Sequence, residues 1–359
     1  MNFKKVTAMY FDLYSAARSQ FEAMHSRKIT RNYLNDKNVL TAQQLKEIKD
    51  FYGPYVKNVG TLHHAFYTEK TGVFDARWIP TDLYYTVIDR YFNSEQSAKV
   101  LDNKCLYPRL FPGISQAQTV VCRMGGFWYD GNLQYISRAE AEELVCQAGA
   151  CFVKAATSSS GGAGVVYIGS ELGSMKEQFA QAVKRMPEDL IVQMPIRQHA
   201  SAAKLNETSV NTLRLLTMLT EEGVKICAAI IRIGVGNVKV DNTSAGGVSC
   251  GVREDGTLRA TAYRLTGESF RQHPTSGVVF DGYQLEGFDK AKELVLKTHR
   301  MVPHFRLVSW DVVIDEQGEA VMLETNLHKT GIESLQLANG PLFGEDTKKI
   351  LDEVFGKNK

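Results

Sequence analysis

The chain has 359 residues, 44% of them hydrophobic and 23% charged, with a formal charge of +2. That length supports two or three domains with a large buried core, and the composition is that of an ordinary globular protein. The near-neutral charge gives no reason to expect a nucleic acid or a strongly acidic partner.

The opening residues predict a helix from 3 to about 25, with Phe3, Val6, Tyr10, Leu13 and Ala17 on one stripe. Lys4, Lys5 and Arg18 make it slightly basic, and a helix packed on its own domain is the expectation. Asp12 and other polar residues interrupt any secretory apolar core. "TAQQLKEIKDFYG" predicts a second helix, with Thr41 as N-cap and Gly53 just past its end. Residues 1–98 read as a mostly helical region.

From about residue 96 the chain reads as a helix, a turn at Pro112-Gly113 and a strand from Thr119 to Cys122. "SRAEAEELVCQAG" is a helix with Ser137 as cap, Glu140 three residues later and Gly149 as stop. Strand "ACFVKAA", loop "TSSSGGAG", strand "VVYIG", helix "SMKEQFAQAVKRM" and strand "DLIVQMPI" follow. Residues 207–265 are mostly β, and "FDKAKELVLKTHRMV" is a helix. This order predicts an α+β fold. The domain expectation is a helical region at 1–98, a small lobe at 99–196 and a large lobe at 197–359. Even the apolar run "ICAAIIRIGVG" is broken by Arg232, so no membrane span is expected and the predicted location is cytoplasmic. The six cysteines form no CxxC pair and the histidines no HExxH, which predicts free thiols rather than disulfides or a zinc site.

The hairpin "SWDVVIDEQGEAVMLETN" raises a question of charge. Glu324 and Asn326 share one face of their strand, and an even loop centred between Gln317 and Gly318 places Asp311 opposite Glu324. Cβ atoms so paired are roughly 5 Å apart, close enough for two carboxylates to repel. A positive group between them is therefore expected, and a hard divalent cation with oxygen ligands fits, although two solvated acids on an edge hairpin are the alternative.

Three other stretches could carry chemistry. "FVKAATSSSGGAGVVYI" places Lys154 on a strand before a Gly- and Ser-rich turn suited to phosphate, or simply to a flexible hairpin. In "LIVQMPIRQH", Pro195 forces an extended crossing between lobes whose backbone suits a purine edge. Arg214 and Arg232 lie within apolar strands and need partners, which a structural salt bridge would also supply.

In combination these features resemble the ATP-grasp superfamily over about residues 99–345. "VDNTSAGG", "HPTSG", "SWDVVI" and "GPLFG" look most like its sugar-transfer-associated group, found with bacterial polysaccharide biosynthesis. The resemblance implies an ATP-grasp fold, two α+β lobes clamping ATP, and a carboxylate-amine ligase that uses ATP and Mg²⁺. It implies Asp311, Glu324 and Asn326 as metal ligands, with Lys104, Lys154, Ser158, Ser159, Ser160, Gly161, Gly162, Gln193, Met194, Pro195 and Ile196 around the nucleotide. Arg214, Arg232 and Lys154 are the catalytic candidates, and Asn242, Gly246, Gly247, His273 and Ser276 the substrate-binding ones. His328 and Lys329 face either the amine or solvent. The implied partners are a small-molecule carboxylate and an amine, with an amino acid joined to a hexuronic acid or a related acidic sugar, free or lipid-linked. A peptide ligase, an ATP-grasp kinase and an inactive nucleotide-binding scaffold are the alternatives. The helical first hundred residues, Gln193 in place of a common Glu, and Ser309 where some relatives place an arginine depart from the pattern.

Overall fold

A computed structural model describes residues 3–36, 38–157, 164–186, 188–237 and 246–356, and of residues 3–16 only the helical backbone. The stripe expected from Phe3 to Leu13, with Lys4 and Lys5, therefore lies outside the described side chains.

Helix α1 (Phe3–Tyr33) runs further than its periodicity suggests. Its last turns are held by tertiary contacts, with Arg27 donating to Asp82 at 2.7 Å and Ser26 3.4 Å from His63. Helix α2 (Ala42–Tyr52) begins at the predicted Thr41, whose hydroxyl and the Gln44 side chain form a reciprocal capping box. Helix α3 (Leu62–Thr71) follows. Further on, Tyr84–Ile88 is a π-helical turn, closed by the Asp89 N–H on the Tyr84 carbonyl. The helix predicted from Ser137 also starts with a capping box, and Gly149 ends it at φ 74°.

Two antiparallel sheets follow. The first contains β1 (Thr119–Met124), β2 (Phe127–Asp130), β3 (Tyr135–Ile136), β4 (Ala150–Ala155), β5 (Val165–Gly169) and β6 (Leu190–Gln193), ordered β3-β2-β1-β6-β4-β5. Helices Arg138–Ala148 and Met175–Arg185 cover it through a core that includes Val145, Val153, Phe179 and Leu190.

The second sheet contains β7 (Thr212–Thr220), β8 (Gly223–Ile233), β9 (Val248–Val252), β10 (Leu258–Tyr263), β11 (Ser269–Phe270), β12 (Leu307–Ile314) and β13 (Ala320–Asn326). Its order is β11-β10-β9-β8-β7-β12-β13. One face packs on helix Phe288–His299 through Trp310, Val312, Ala291 and Val295. The other packs on Ile48, Tyr52, Tyr84 and Ile88 through Leu216, Met218, Ile230 and Leu307. Every residue of β12 is buried, which accounts for apolar residues on both faces of that strand. The helical N-terminal region shares the core of the large sheet and is not a detached unit.

The predicted crossing is present. After Gln193 the chain runs without regular structure to Gln198, which bridges to Asp315 in the β12–β13 turn. Met194 donates to the Gln118 carbonyl, and Glu316 donates to the Arg197 carbonyl at the far end.

Candidate functional site

Asp311 does face Glu324, but not through the expected even loop. Val312, Val313 and Ile314 pair with Met322, Val321 and Ala320, an odd-loop register that would place Asp311 opposite Leu323. A bulge between Met322 and Glu324 shifts the ladder by one residue, and Asp311 then meets Glu324 while Ser309 meets Asn326.

The charge problem is answered largely within the protein. Arg214 stands opposite Asp311 on β7 and donates from Nε and Nη2 to its two oxygens, each at 2.8 Å. Arg232 on β8 adds a third bond, Nη2 to Oδ2 at 3.1 Å. Burial alone would push the Asp311 carboxyl up, but the two guanidiniums more than offset it and hold it below its ordinary value. On the other side, Lys104 Nζ lies 3.0 Å from Glu324 Oε1. Arg214 and Arg232 are thereby found as partners of Asp311, and Lys104 as that of Glu324.

Lys104 is placed by a short 3₁₀ turn, Lys104–Leu106, which Asn103 caps and whose first N–H donates to the Ala156 carbonyl. Its ammonium is buried yet makes no aligned hydrogen bond. Lys154, on β4, donates to Gln193 Oε1 at 3.1 Å, and Gln193 Nε2 donates to the Ala117 carbonyl. Burial pulls the Lys154 ammonium down to about 8, against the attraction of Glu324 and with added repulsion from Lys104. Thr157, where the Gly-rich loop begins, bridges to Asn103 beside Lys104. Ser158, Ser159, Ser160, Gly161 and Gly162 of that loop, and Asn242 of the later one, lie outside the described residues.

A cleft of about 660 Å³ is lined by Thr157, Glu324 and Asn326. Arg18 and Glu22 of α1, with Glu95, Lys99 and Asp102, form a further part of its wall. Sequence reading missed this wall, since its charges are ordinary surface residues until the N-terminal region folds against the large sheet. Burial pushes the Asp102 carboxyl up to about 6, against the pull of Lys104.

Ser309 Oγ, Asn326 Nδ2 and Lys329 Nζ have no hydrogen-bond partner among the described residues. An unmade buried hydrogen bond costs about 1–3 kcal/mol, which makes this surface a candidate for a ligand. His328 Nδ1 is 2.6 Å from Asp89 Oδ2, and the same oxygen accepts the Lys329 N–H at 3.0 Å. Both residues line the cleft.

The expected metal ligands divide. Glu324 and the Asn326 amide line the cleft and suit a hard divalent cation that also takes phosphate oxygens and water. Asp311 accepts three bonds from two arginines, which leaves about one of its four lone-pair sites for a cation. It anchors those arginines beside Glu324.

His273 and Ser276, expected at the substrate, form a turn held together from within. His273 is buried, its Nε2 donating to the Gly234 carbonyl at 2.9 Å and its Nδ1 accepting the Ser276 N–H at 3.1 Å. Both ring nitrogens are used within the fold, and the pair braces a turn away from the cleft. Gly246 and Gly247 lead into β9, with Arg264 Nε donating to the Gly246 carbonyl, and they do not line the cleft either.

The sequence profile of the sugar-transfer associated ATP-grasp family matches residues 86–351, and the chain belongs to that family. As a member of that family it has an ATP-grasp fold, built here on the two antiparallel sheets. Among solved structures, it is similar to a D-alanine-D-alanine ligase from Coxiella burnetii at 13% identity and a TM-score of 0.42, over 74% of this chain and 62% of that one. A D-alanyl-alanine synthetase A from Vibrio cholerae is similar at 14% identity and a TM-score of 0.41, over 77% and 66% of the two chains. A biotin carboxylase from Campylobacter jejuni is similar at 9% identity and a TM-score of 0.45, over 74% and 48%. The chain thus spans about two thirds or less of the length of these proteins. No curated protein matches the sequence.

Proposed function

We propose that the protein is an ATP-dependent carboxylate-amine ligase that forms an amide through an acyl phosphate. The observation that carries this reading is the convergence of Lys104, Lys154 and Glu324 beside an unpartnered Asn326 amide, at the mouth of the Gly-rich loop.

Lys104 and Lys154 set two ammonium groups around the position of a triphosphate and offset the charge that shifts toward the leaving β-phosphate. Glu324 and Asn326 would hold Mg²⁺, which supplies Lewis-acid polarisation of the phosphate oxygens. Gln193, Met194, Pro195 and Ile196 form the extended crossing along which the purine would lie. Arg214 and Arg232, fixed on Asp311, keep positive charge in the same row as Glu324, where the substrate carboxylate would be oriented. The carboxylate takes the γ-phosphoryl group and ADP leaves. An amine then attacks the acyl carbon, phosphate leaves, and the amine proton passes to a base. Asp102, on the cleft wall and raised toward neutrality by burial, suits that last step.

The substrates we assign are an amino acid and a hexuronic acid or related acidic sugar of a surface polysaccharide precursor, and the reaction is placed in the cytoplasm. No helix among the described residues is long and apolar enough to cross a membrane. The deciding experiment incubates the protein with ATP, Mg²⁺ and pairs of uronic acids and amines, one carboxylate being labelled with ¹⁸O. Transfer of one ¹⁸O into phosphate, dependent on the amine and lost in Glu324→Gln, supports the ligase. ADP formed with a hydroxyl compound and no amine would make it a kinase.

A further inference from the structure

The cleft carries a feature that nucleotide chemistry leaves unused. Lys329 is one of two non-glycine residues with positive φ among the described residues, at 56°. A lysine held in the left-handed region is uncommon and is sustained only where its surroundings fix it. Here the fixing group is Asp89, a buried carboxylate that accepts the Lys329 N–H and sits against the His328 ring. The strained turn directs the Lys329 side chain into the cleft, where its ammonium makes no hydrogen bond among the described residues.

Charges surround it in loose pairs. Glu22 Oε1 is 3.8 Å from Lys329 Nζ, and Glu95 Oε1 lies 3.4 Å from Arg18 Nη1. Glu95 Oε2 is 3.8 Å from His328 Nε2. The Lys329–Glu22 separation exceeds hydrogen-bond length, so the Lys329 ammonium remains able to take a ligand anion without breaking a tight pair. The cleft thus offers charges of both signs, Arg18, Lys99 and Lys329 beside Glu22, Glu95, Asp102 and Glu324, to a molecule that carries a carboxylate and an amine.

We propose that Lys329, backed by Arg18 of α1, anchors the carboxylate of an amino acid and presents its amine toward Glu324. This rests on the ligase reading and names the amine substrate by class. It also gives the N-terminal helical region a role in recognition, because α1 supplies part of the substrate wall.

The test uses the full chain with Mg²⁺ and a non-hydrolysable ATP analogue. Ligand-observed NMR followed by calorimetry would screen the standard α-amino acids of both hands, each against the amine that lacks its carboxylate. At least one amino acid binds, its decarboxylated partner binds about tenfold to a hundredfold more weakly, and Lys329→Asn removes that difference. Asparagine tolerates the positive φ, so the variant keeps its fold, and Lys329→Arg restores the preference. If no amino acid binds, if the decarboxylated amine binds equally well, or if the preference survives in Lys329→Asn, the anchor is wrong. Binding through Lys329 without turnover for any carboxylate would instead sink the ligase reading and leave the anchor standing.

Discussion

Arg214 closes both oxygens of Asp311 from directly across the β7–β12 ladder, at 2.8 Å each, so the carboxylate that faces Glu324 is neutralised from behind. Because that pair is buried, its value shows mainly in the penalty for removing one partner. Arg214→Met leaves Asp311 with Arg232 alone and should cost about 3–5 kcal/mol, while Arg214→Met/Asp311→Leu should recover most of it. Urea denaturation of the two variants decides this.

The acid dependence has a definite sign. The Asp311 carboxyl is held below its ordinary value by two arginines, so its contribution is complete at neutral pH and is lost as pH falls below about 4. In Arg214→Met the carboxyl moves up, and the deficit against the wild type should shrink on acidification from pH 7 to 4.5. An unchanged deficit would show that Asp311 owes its low value to Arg232.

Asn326 and Ser309 pair across β12–β13, each with a buried polar atom that lacks a partner. Asn326→Leu is near-isosteric and removes one such atom, so the ligand-free protein should gain about 1–3 kcal/mol and melt higher while nucleotide turnover falls by at least tenfold. Differential scanning calorimetry and an ADP-release assay test both halves.

Lys154, pulled down to about 8 by burial, carries its charge at neutral pH and loses it as pH rises through that value. ATP affinity should weaken between pH 7 and 9.5, and Lys154→Arg should flatten the profile because a guanidinium stays charged. Titration calorimetry at four pH values is sufficient.

Asp102, pushed up to about 6 by burial, is deprotonated above that pH and can accept a proton there. The acid limb of kcat/KM for the amine should therefore sit near pH 6, and Asp102→Asn should remove the limb and lower the plateau about a hundredfold. A limb that persists in the variant would transfer the role to another group.

His273→Gln should destabilise the fold by about 1–3 kcal/mol yet leave the KM for ATP unchanged, because both ring nitrogens serve the turn that Ser276 closes. A rise in KM for either substrate would return His273 to the site.

Local rules made much of this legible. The capping boxes at Thr41 and Ser137, the Gly149 stop and the extended crossing after Gln193 all depend on a few neighbouring residues. The Asp311–Glu324 pair was reached through a loop parity that does not hold, because a one-residue bulge inside a hydrophobic run leaves no mark in the residue types. Arg214 and Arg232 were visible as buried charges without partners, but their common target is decided by which strands lie side by side, and strand order is a property of the whole sheet. The internal bonds of His273 were not legible for the converse reason, since a histidine with both nitrogens satisfied within the fold has the same letter as one that waits for substrate.

The π-helical turn at Tyr84–Ile88 gives the active surface a mechanical dependence on the spacing of the chain. Its i→i−5 closure sets the angular position of Asp89, and Asp89 holds the backbone of Lys329. Removing one residue from the turn would replace that closure by ordinary i→i−4 winding and abolish the widened turn that leads into Asp89. The stretch matched by the family profile begins at residue 86, within that same turn. The border of shared sequence therefore cuts through a part that must stay whole, and a chain trimmed to that border would keep Asp89 but lose the winding that aims it.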